Sequence, residues 1–300
     1  MNFFPKTTNF DFMGKRGIFF ILSLVITIVG LALTFIRGGR ILSMDFTGGY
    51  LTQLEFSQEI DISQIRGVLS ERGYDDILLQ KVGETGRRFI IKTKQGGHEI
   101  IQTLRESFPA ASINILSEEQ VSPTMGQTIR KQTLIACLLA ICGILIYVAF
   151  RFEFRFAVAA TIAIVHDLLV TLAFVVVSGR EIDSLVIAAF LTILGYSVND
   201  TVVIFDRIRE NLRGLTRVSD PVEVFNRSLN ETLSRTLITG VTTLFTLGCL
   251  YFLGGPVLNT FAFTLIVGII TGTYSSIFIA SAIVIAWEKR APHRFRTSSS

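Results

Sequence analysis

Hydrophobic and polar residues alternate along this chain in long blocks rather than in short periods. Several blocks stay apolar over roughly the 20 residues that a helix needs to cross a bilayer. The predicted transmembrane helices are residues 17–36, 133–150, 156–178, 184–205, 236–253 and 257–287. The last block is long enough to be tilted or to begin with an interfacial piece. The pattern therefore predicts a polytopic α-helical membrane protein with six crossings.

Residues 37–132, between the first two crossings, have a different pattern, with charges of both signs interspersed among short apolar runs. Strand-like and helix-like periods follow one another in the order β-α-β-β-α-β. The predicted strands lie near 50–56, 77–82, 89–93 and 112–116, and the predicted helices near 61–69 and 98–108. That order is typical of a ferredoxin-like fold, so we expect a small α+β domain inserted between helices 1 and 2.

The distribution of lysine and arginine predicts the orientation of the helices. Short loops on one side carry nearly all of these residues, whereas Arg180 stands alone on the other side. Because positive residues are retained in the cytoplasm, residues 1–16, 206–235 and 288–300 are predicted to be cytoplasmic. The inserted domain is then extracytoplasmic.

One more helix is predicted within the cytoplasmic loop. Asp220-Pro221-Val222-Glu223 has the pattern of a helix start, and Phe225 and Leu229 recur after it at helical spacing. We expect an amphipathic helix along the inner membrane surface that leads into the fifth crossing.

Two asparagines of the same loop, in Asn226-Arg227-Ser228 and Asn230-Glu231-Thr232, match the pattern of glycosylation sites. Glycosylation belongs to secreted surfaces. The predicted cytoplasmic location therefore argues against it here.

Composition narrows the class of function. Half of the residues are hydrophobic and 17% are charged, and the net charge of +4 is better explained by membrane orientation than by nucleic-acid binding. The three cysteines lie in apolar segments without disulfide or metal spacing. No phosphate-binding loop, nucleophile elbow or zinc-ligand pattern is present in the sequence. We therefore expect no enzymatic activity, no catalytic residue, no cofactor and no metal.

Asp200 is an ionisable residue inside the fourth apolar block, with Asn199 beside it. A charge at that depth costs several kcal/mol, about 3 on insertion scales, so it is a functional hypothesis by default. Asp200 is a candidate site for taking up and releasing a proton or another cation. The alternative is a structural acid that fixes helix packing or reaches toward the inner boundary.

Arg235 lies where the loop becomes the fifth crossing, and it shares a helix face with Thr239, Thr242 and Thr246. Such a polar stripe is suited to the interior of a helix bundle rather than to lipid. Since arginine does not release its proton, Arg235 would be a counter-ion and not a relay. Its alternative role is a topology anchor.

His166 and Asp167 lie near the centre of the third crossing. Imidazole titrates near physiological pH, which makes the pair a candidate for the proton pathway. The alternative is a hydrogen-bonded pair that holds two neighbouring helices together.

Several segments together resemble one family of membrane proteins. They are Met44-Asp45-Phe46-Thr47-Gly48-Gly49, Val165-His166-Asp167, Gly195-Tyr196-Ser197-Val198-Asn199-Asp200-Thr201, Phe205-Asp206-Arg207-Ile208-Arg209-Glu210-Asn211, Arg235-Thr236-Leu237-Ile238-Thr239 and Gly254-Gly255-Pro256. In this order they resemble the SecF members of the SecD/SecF protein-export family, a branch of the resistance-nodulation-division superfamily.

The resemblance implies a multi-pass protein of the bacterial cytoplasmic membrane that pairs with SecD and associates with the SecYEG channel. It implies that the proton-motive force helps to move a translocating preprotein, through a proton site at Asp200 and Arg235 to which SecD adds a further acid. Membrane lipid is then a partner and nucleic acid is not.

Two other functions stay open at this point. One is an ion-coupled exporter of small hydrophobic solutes or lipids, although the inserted domain shows no obvious apolar substrate pocket. The other is a purely structural assembly factor, for which neutralising Asp200 or Arg235 would be harmless.

Overall fold

The computed structural model of the protein describes residues 8–74, 77–83, 85–93, 96–213 and 220–290. The chain divides into two compact units, one formed by Met1–Ile41 with Ala136–Ser300 and the other by Leu42–Ile135. The described residues include six helices that are long and apolar enough to cross a membrane. The predicted membrane class and the predicted six crossings are therefore confirmed.

The first five of these helices are continuous, and each is longer than the apolar block from which it was predicted. They are α1 (Phe12–Arg37), α5 (Pro123–Arg151), α6 (Phe154–Val177), α7 (Ser184–Arg213) and α8 (Pro221–Leu253). The sixth crossing consists of α9 (Gly255–Ser275), a π-helical turn (Ser276–Ala280) and α10 (Ser281–Arg290). The π turn was not predicted. In it the Ser281 hydroxyl donates a hydrogen bond of 2.9 Å to the carbonyl of Ser276.

The helix predicted within the loop is present, but the predicted boundary between it and the fifth crossing is wrong, because residues 221–235 are the first turns of α8. The start signal itself is confirmed, since the Asp220 carboxylate accepts a hydrogen bond of 3.0 Å from the amide of Val222. After Pro221 the sequence has no proline or glycine until Gly240, so nothing interrupts the helix at the end of the loop. Phe225 and Leu229 are buried in the core of the helical unit.

Small residues bring the helices of this unit into close contact. A Cβ atom added to Gly30 of α1 would lie 2.0 Å from the Cβ of Ala173 on α6. A Cβ added to Gly268 of α9 would lie 2.1 Å from the Ile193 side chain on α7. In α5, by contrast, most large apolar side chains are exposed, and Val148 is the buried one.

The second unit is built on a four-stranded antiparallel sheet. Its elements are α2 (Met44–Thr47), β1 (Gly49–Phe56), α3 (Ile62–Glu71), β2 (Leu78–Val82), β3 (Arg88–Thr93), α4 (Gly97–Ser107) and β4 (Ile113–Val121). From β1 onward, strands and helices follow in the predicted order, and the strand order across the sheet is β2-β3-β1-β4. The core contains Phe56 and Phe89, whose rings meet edge to face at 5.7 Å.

The segment Met44–Gly49 requires its two glycines for steric reasons. Gly48 has φ 78° and Gly49 has φ 147°, values that favour glycine. A Cβ at Gly49 would also lie 2.6 Å from the carbonyl oxygen of Thr93 on β3. Residues Met44–Gly49 thus form a sterically restricted turn that leads into β1.

Candidate functional site

Asp167 is the centre of a hydrogen-bonded cluster inside the helical unit. It lies on α6 and is 1% exposed, so its carboxylate depends on protein partners. The Ser197 hydroxyl on α7 donates to Oδ2 over 2.5 Å. His166 Nδ1 lies 3.0 Å from Oδ1, so the two neighbouring residues of the predicted pair also contact each other.

The other ring nitrogen of His166 faces two hydroxyl groups from further helices. Nε2 hydrogen-bonds with the hydroxyl of Ser23 on α1 and lies 3.1 Å from the hydroxyl of Tyr274 on α9. The Ser23 and Tyr274 oxygens are themselves 2.7 Å apart. The cluster therefore joins α1, α6, α7 and α9.

Ser23 and Tyr274 were not singled out from the sequence. Each is a polar residue in a predicted crossing, which is a weak signal because single hydroxyl groups are common in membrane helices. Only their contacts with His166 distinguish them.

Helix α9 closely approaches Ser197 and Asp167 of this cluster at Gly272. A Cβ on Gly272 would lie 3.1 Å from the Cβ of Ser197 and 3.5 Å from Asp167 Oδ2. One turn further on, the Ser276 hydroxyl donates to the Gly272 carbonyl over 2.8 Å and lies 2.8 Å from the hydroxyl of Thr201. The π turn that starts at Ser276 thus borders the polar contacts between α7 and α9, and such turns are frequent at functional sites.

Asp200 lies one turn after Ser197 on α7 and has a different environment. It is 3% exposed, and its Oδ2 atom has no hydrogen-bond partner. Arg235 on α8 is the cation that acts on this carboxylate. Within the described residues, the two side chains form no ion pair at 4.0 Å or less. Asp200 is therefore a buried acid with one unpartnered oxygen, and Arg235 acts on it without a direct ion pair.

The polar stripe of α8 was predicted to face the interior of the helix bundle, and within this single chain that prediction is wrong. Arg235 and Thr242 are exposed and Thr239 is half-buried, so the stripe does not face the interior of the unit. The hydroxyls of Thr239 and Thr242 donate to carbonyls of their own helix, at 2.9 to 3.0 Å. Asn199 on α7 is exposed as well. The sequence pattern shows that these residues share a face but not which neighbour covers it.

The candidate residues therefore form two groups that α7 connects. One is the cluster of His166 and Asp167 with their hydroxyl partners, and the other is Asp200 with Arg235. Ser197 and Asp200 are three residues apart, so they lie on one side of α7. The described residues contain no group of three or more histidine, cysteine, aspartate or glutamate side chains that could hold a metal ion.

Comparison with known proteins shows the same family along nearly the whole chain. Residues 100–290 match the family described as protein export membrane protein SecD/SecF, C-terminal. The protein translocase subunit SecF of Thermodesulfovibrio yellowstonii is 41% identical over 291 residues, which cover 95% of this chain and 96% of that protein. The SecF subunit of Pseudomonas aeruginosa is 38% identical and covers 93% of this chain.

A solved structure agrees with these relatives. The crystal structure of SecDF, a translocon-associated membrane protein from Thermus thermophilus, superposes with a TM-score of 0.85 at 37% identity. The match covers 96% of this chain and 40% of that longer one. This chain therefore belongs to the SecD/SecF family of protein export membrane proteins and is one of its SecF members.

Proposed function

We propose that the chain is the SecF subunit of the Sec protein-export machinery and that, with SecD, it couples the proton-motive force to preprotein translocation across the cytoplasmic membrane. The names of its relatives support the export role. The fused SecDF relative supports SecD as the partner. Association with the SecYEG channel and with a translocating preprotein is part of the same proposal.

The observation that carries proton coupling is the environment of Asp200. Its carboxylate is buried in an apolar helix, and one oxygen has no protein partner. Arg235 stays positively charged at any physiological pH. Protonation of Asp200 therefore removes an attraction between α7 and α8 without removing the cation, and the packing equilibrium of the two helices shifts.

The cluster around His166 and Asp167 has a supporting role in this proposal. Its hydrogen bonds tie α1 and α6 to α7 and α9. It holds α7, the helix that carries Asp200, against α6 and α9, so that a proton at Asp200 changes the position of α8 against α7.

The exposed stripe on α8 supports a partner that supplies polar groups. Arg235 and Thr242 are exposed on a helix long and apolar enough to cross the membrane, where contact with lipid is unfavourable for an arginine. A SecD helix that brings a carboxylate to this face would neutralise Arg235. Membrane lipid would cover the apolar exposed face of α5 instead.

The proposed topology places both ends of the chain in the cytoplasm and the unit around the sheet on the far side. The asymmetry of lysine and arginine in the short loops supports it. Accessibility of single cysteines to a membrane-impermeant reagent tests this orientation.

The test of proton coupling uses Asp200→Asn in vesicles that contain the complex with SecD and the translocon. Export driven by an imposed proton gradient should be lost, because the amide cannot take up the proton. Asp206→Asn is the matched control, since Asp206 lies on the same helix but is only half-buried and pairs with Arg151 over 2.8 Å. Unimpaired export in Asp200→Asn would remove the proton role, and a response to sodium in place of protons would change the coupling ion.

A further inference from the structure

The start of α1 is held by an asparagine from another helix. Asn226 lies on α8, and its Oδ1 accepts hydrogen bonds of 3.0 Å from the amides of Phe12 and Met13. Its Nδ2 donates to the carboxylate of Asp11 over 2.8 Å. Because the first amides of a helix have no partner within that helix, Asn226 supplies what α1 itself lacks.

A second asparagine, one turn further along α8, holds the residue before Asp11. Asn230 Oδ1 accepts from the amide of Phe10 over 3.0 Å, and its Nδ2 donates to the carbonyl of Phe10 over 2.9 Å. Both main-chain groups of one residue are thus paired by one side-chain amide. Asn226 and Asn230 lie on one face of α8, and we name them the asparagine clamp.

The chemistry of the clamp requires a side-chain amide. An apolar side chain could pack α1 against α8, but it could not accept from two amides while donating to a carboxylate. Asp11 meanwhile caps α1 through the amide of Gly14, at 2.9 Å. The hydrogen bonds that the clamp makes also give both asparagines a role that requires no glycosylation.

The clamp lies on the same uninterrupted helix as Arg235. Asn230 precedes Arg235 by less than two turns of α8. Near the clamp, Glu231 accepts from Arg207 over 2.7 Å and from Asn211 over 2.8 Å, and these two residues belong to α7. At this end, α8 is thus bonded to α7 on one side and to the start of α1 on the other.

These contacts connect α8 to the start of α1, and we call them the mechanical link. We propose that Asn226 and Asn230 are positioning residues that transmit a shift of α8, caused by the proton at Asp200, to α1. Along the chain, α1 is followed by a 3-10 turn, Gly38–Ile41, and then by the unit around the sheet. The inference rests on the proposed function, because it takes the proton-dependent shift of α8 as its input.

The first test asks whether the clamp holds α1. Amide hydrogen exchange is measured on the full chain in its complex with SecD. The double variant Asn226→Ala/Asn230→Ala should speed exchange at Phe10, Phe12 and Met13 by about five- to thirtyfold, the ratio expected when a capping interaction is lost. Glu223→Gln is the control, since this exposed residue lies one turn before Asn226. Unchanged exchange in the double variant would overturn the inference.

The second test separates transmission from folding. In vesicles, the double variant should still take up protons at the wild-type rate but lose most of its proton-driven export. Equal loss of uptake and export would indicate a merely structural role, and unimpaired export would indicate no role; either result overturns the inference. Asn230→Ala alone keeps Asn226 and Asp11 at the start of α1, so it provides a milder variant if the double variant folds poorly.

A cross-link provides the rescue. Cys137, Cys142 and Cys249 are free, so they are first replaced by alanine. A short bifunctional maleimide is then placed between Phe10→Cys and Asn230→Cys. Cross-linking should restore export, and failure to restore it in folded protein would contradict the mechanical link. If Asp200→Asn exports normally, the proposed function fails; if Asp200→Asn is inactive and the clamp variants export normally, only the clamp inference fails.

Discussion

Removing the Ser197 hydroxyl tests how the buried cluster is stabilised. Ser197→Ala deletes one oxygen and leaves the Cβ atom that packs beside Gly272. The variant therefore removes the hydrogen bond to Asp167 without opening a large cavity. Asp167 is 1% exposed, so water cannot readily replace the lost donor.

The size of the effect depends on the charge of Asp167, whose Oδ2 accepts from the Ser197 hydroxyl over 2.5 Å. Hydrogen bonds to charged groups contribute about 1.5–3 kcal/mol, whereas interhelical hydrogen bonds in membranes average only about 0.6 kcal/mol. For an ionised Asp167 we expect Ser197→Ala to lower the free energy of unfolding by about 1.5–3 kcal/mol.

The assay is reversible unfolding in mixed micelles, followed by the fluorescence of the single tryptophan. Trp287 on α10 meets the ring of Phe154 on α6 at 6.3 Å, so its emission reports on helix packing. Thr192→Ala is the control, because among the described residues the hydroxyl of this exposed residue bonds to the Ala188 carbonyl of its own helix alone. A loss in Ser197→Ala no larger than in the control would refute the reasoning.

Three further predictions concern packing and pH. Gly30→Ala should lower the free energy of unfolding by about 1–3 kcal/mol in the same assay, since its Cβ would lie 2.0 Å from that of Ala173. Adding Ala173→Gly should recover part of this loss, and an unchanged free energy of unfolding in Gly30→Ala would contradict the close contact. Phe89→Ala should lower the free energy of unfolding of the sheet unit by about 3–5 kcal/mol in urea, because the ring is fully buried. A loss below about 0.5 kcal/mol, as is usual for surface residues, would show that Phe89 does not belong to the core. Hydrogen bonds from Ser63 hold the pKa of Asp61 below its usual range, so the ionised carboxylate stabilises the start of α3 above about pH 4 and loses this effect as the pH falls. The protection of amides there, that is, the intrinsic exchange rate at each pH divided by the measured rate, should become acid-independent in Asp61→Asn. Equal acid sensitivity of this protection in both proteins would contradict the prediction.

Local sequence pattern predicted the long helices and the strands of this fold because each of them carries its own signal, but it did not predict the π turn or α2. Long apolar blocks predict crossings, and the start signal at Asp220 is correct. The junction at Arg235 was predicted wrongly because hydropathy changes there while helix propensity does not. Hydropathy reports where lipid begins, and it cannot by itself end a helix.

The candidate site was predictable only in part, for a related reason. Asp200, His166 and Asp167 stand out because a charge in an apolar block is costly. Tyr274 and Ser23 do not stand out, since their role depends on contacts between helices far apart in sequence. The outward direction of Arg235 likewise depends on tertiary packing rather than on the spacing of the stripe.

The central claim, that a proton on Asp200 shifts α8 against α7, is tested most directly by a distance. Spin labels are attached to cysteines that replace the exposed Thr192 on α7 and the exposed Val241 on α8, which lies outside the polar stripe, in the otherwise cysteine-free complex with SecD. Pulsed electron resonance then compares acidic with alkaline buffer. The account predicts that the distance distribution shifts with pH in the otherwise unmodified protein and is pH-independent in Asp200→Asn. The same pH-dependent shift in Asp200→Asn would contradict it.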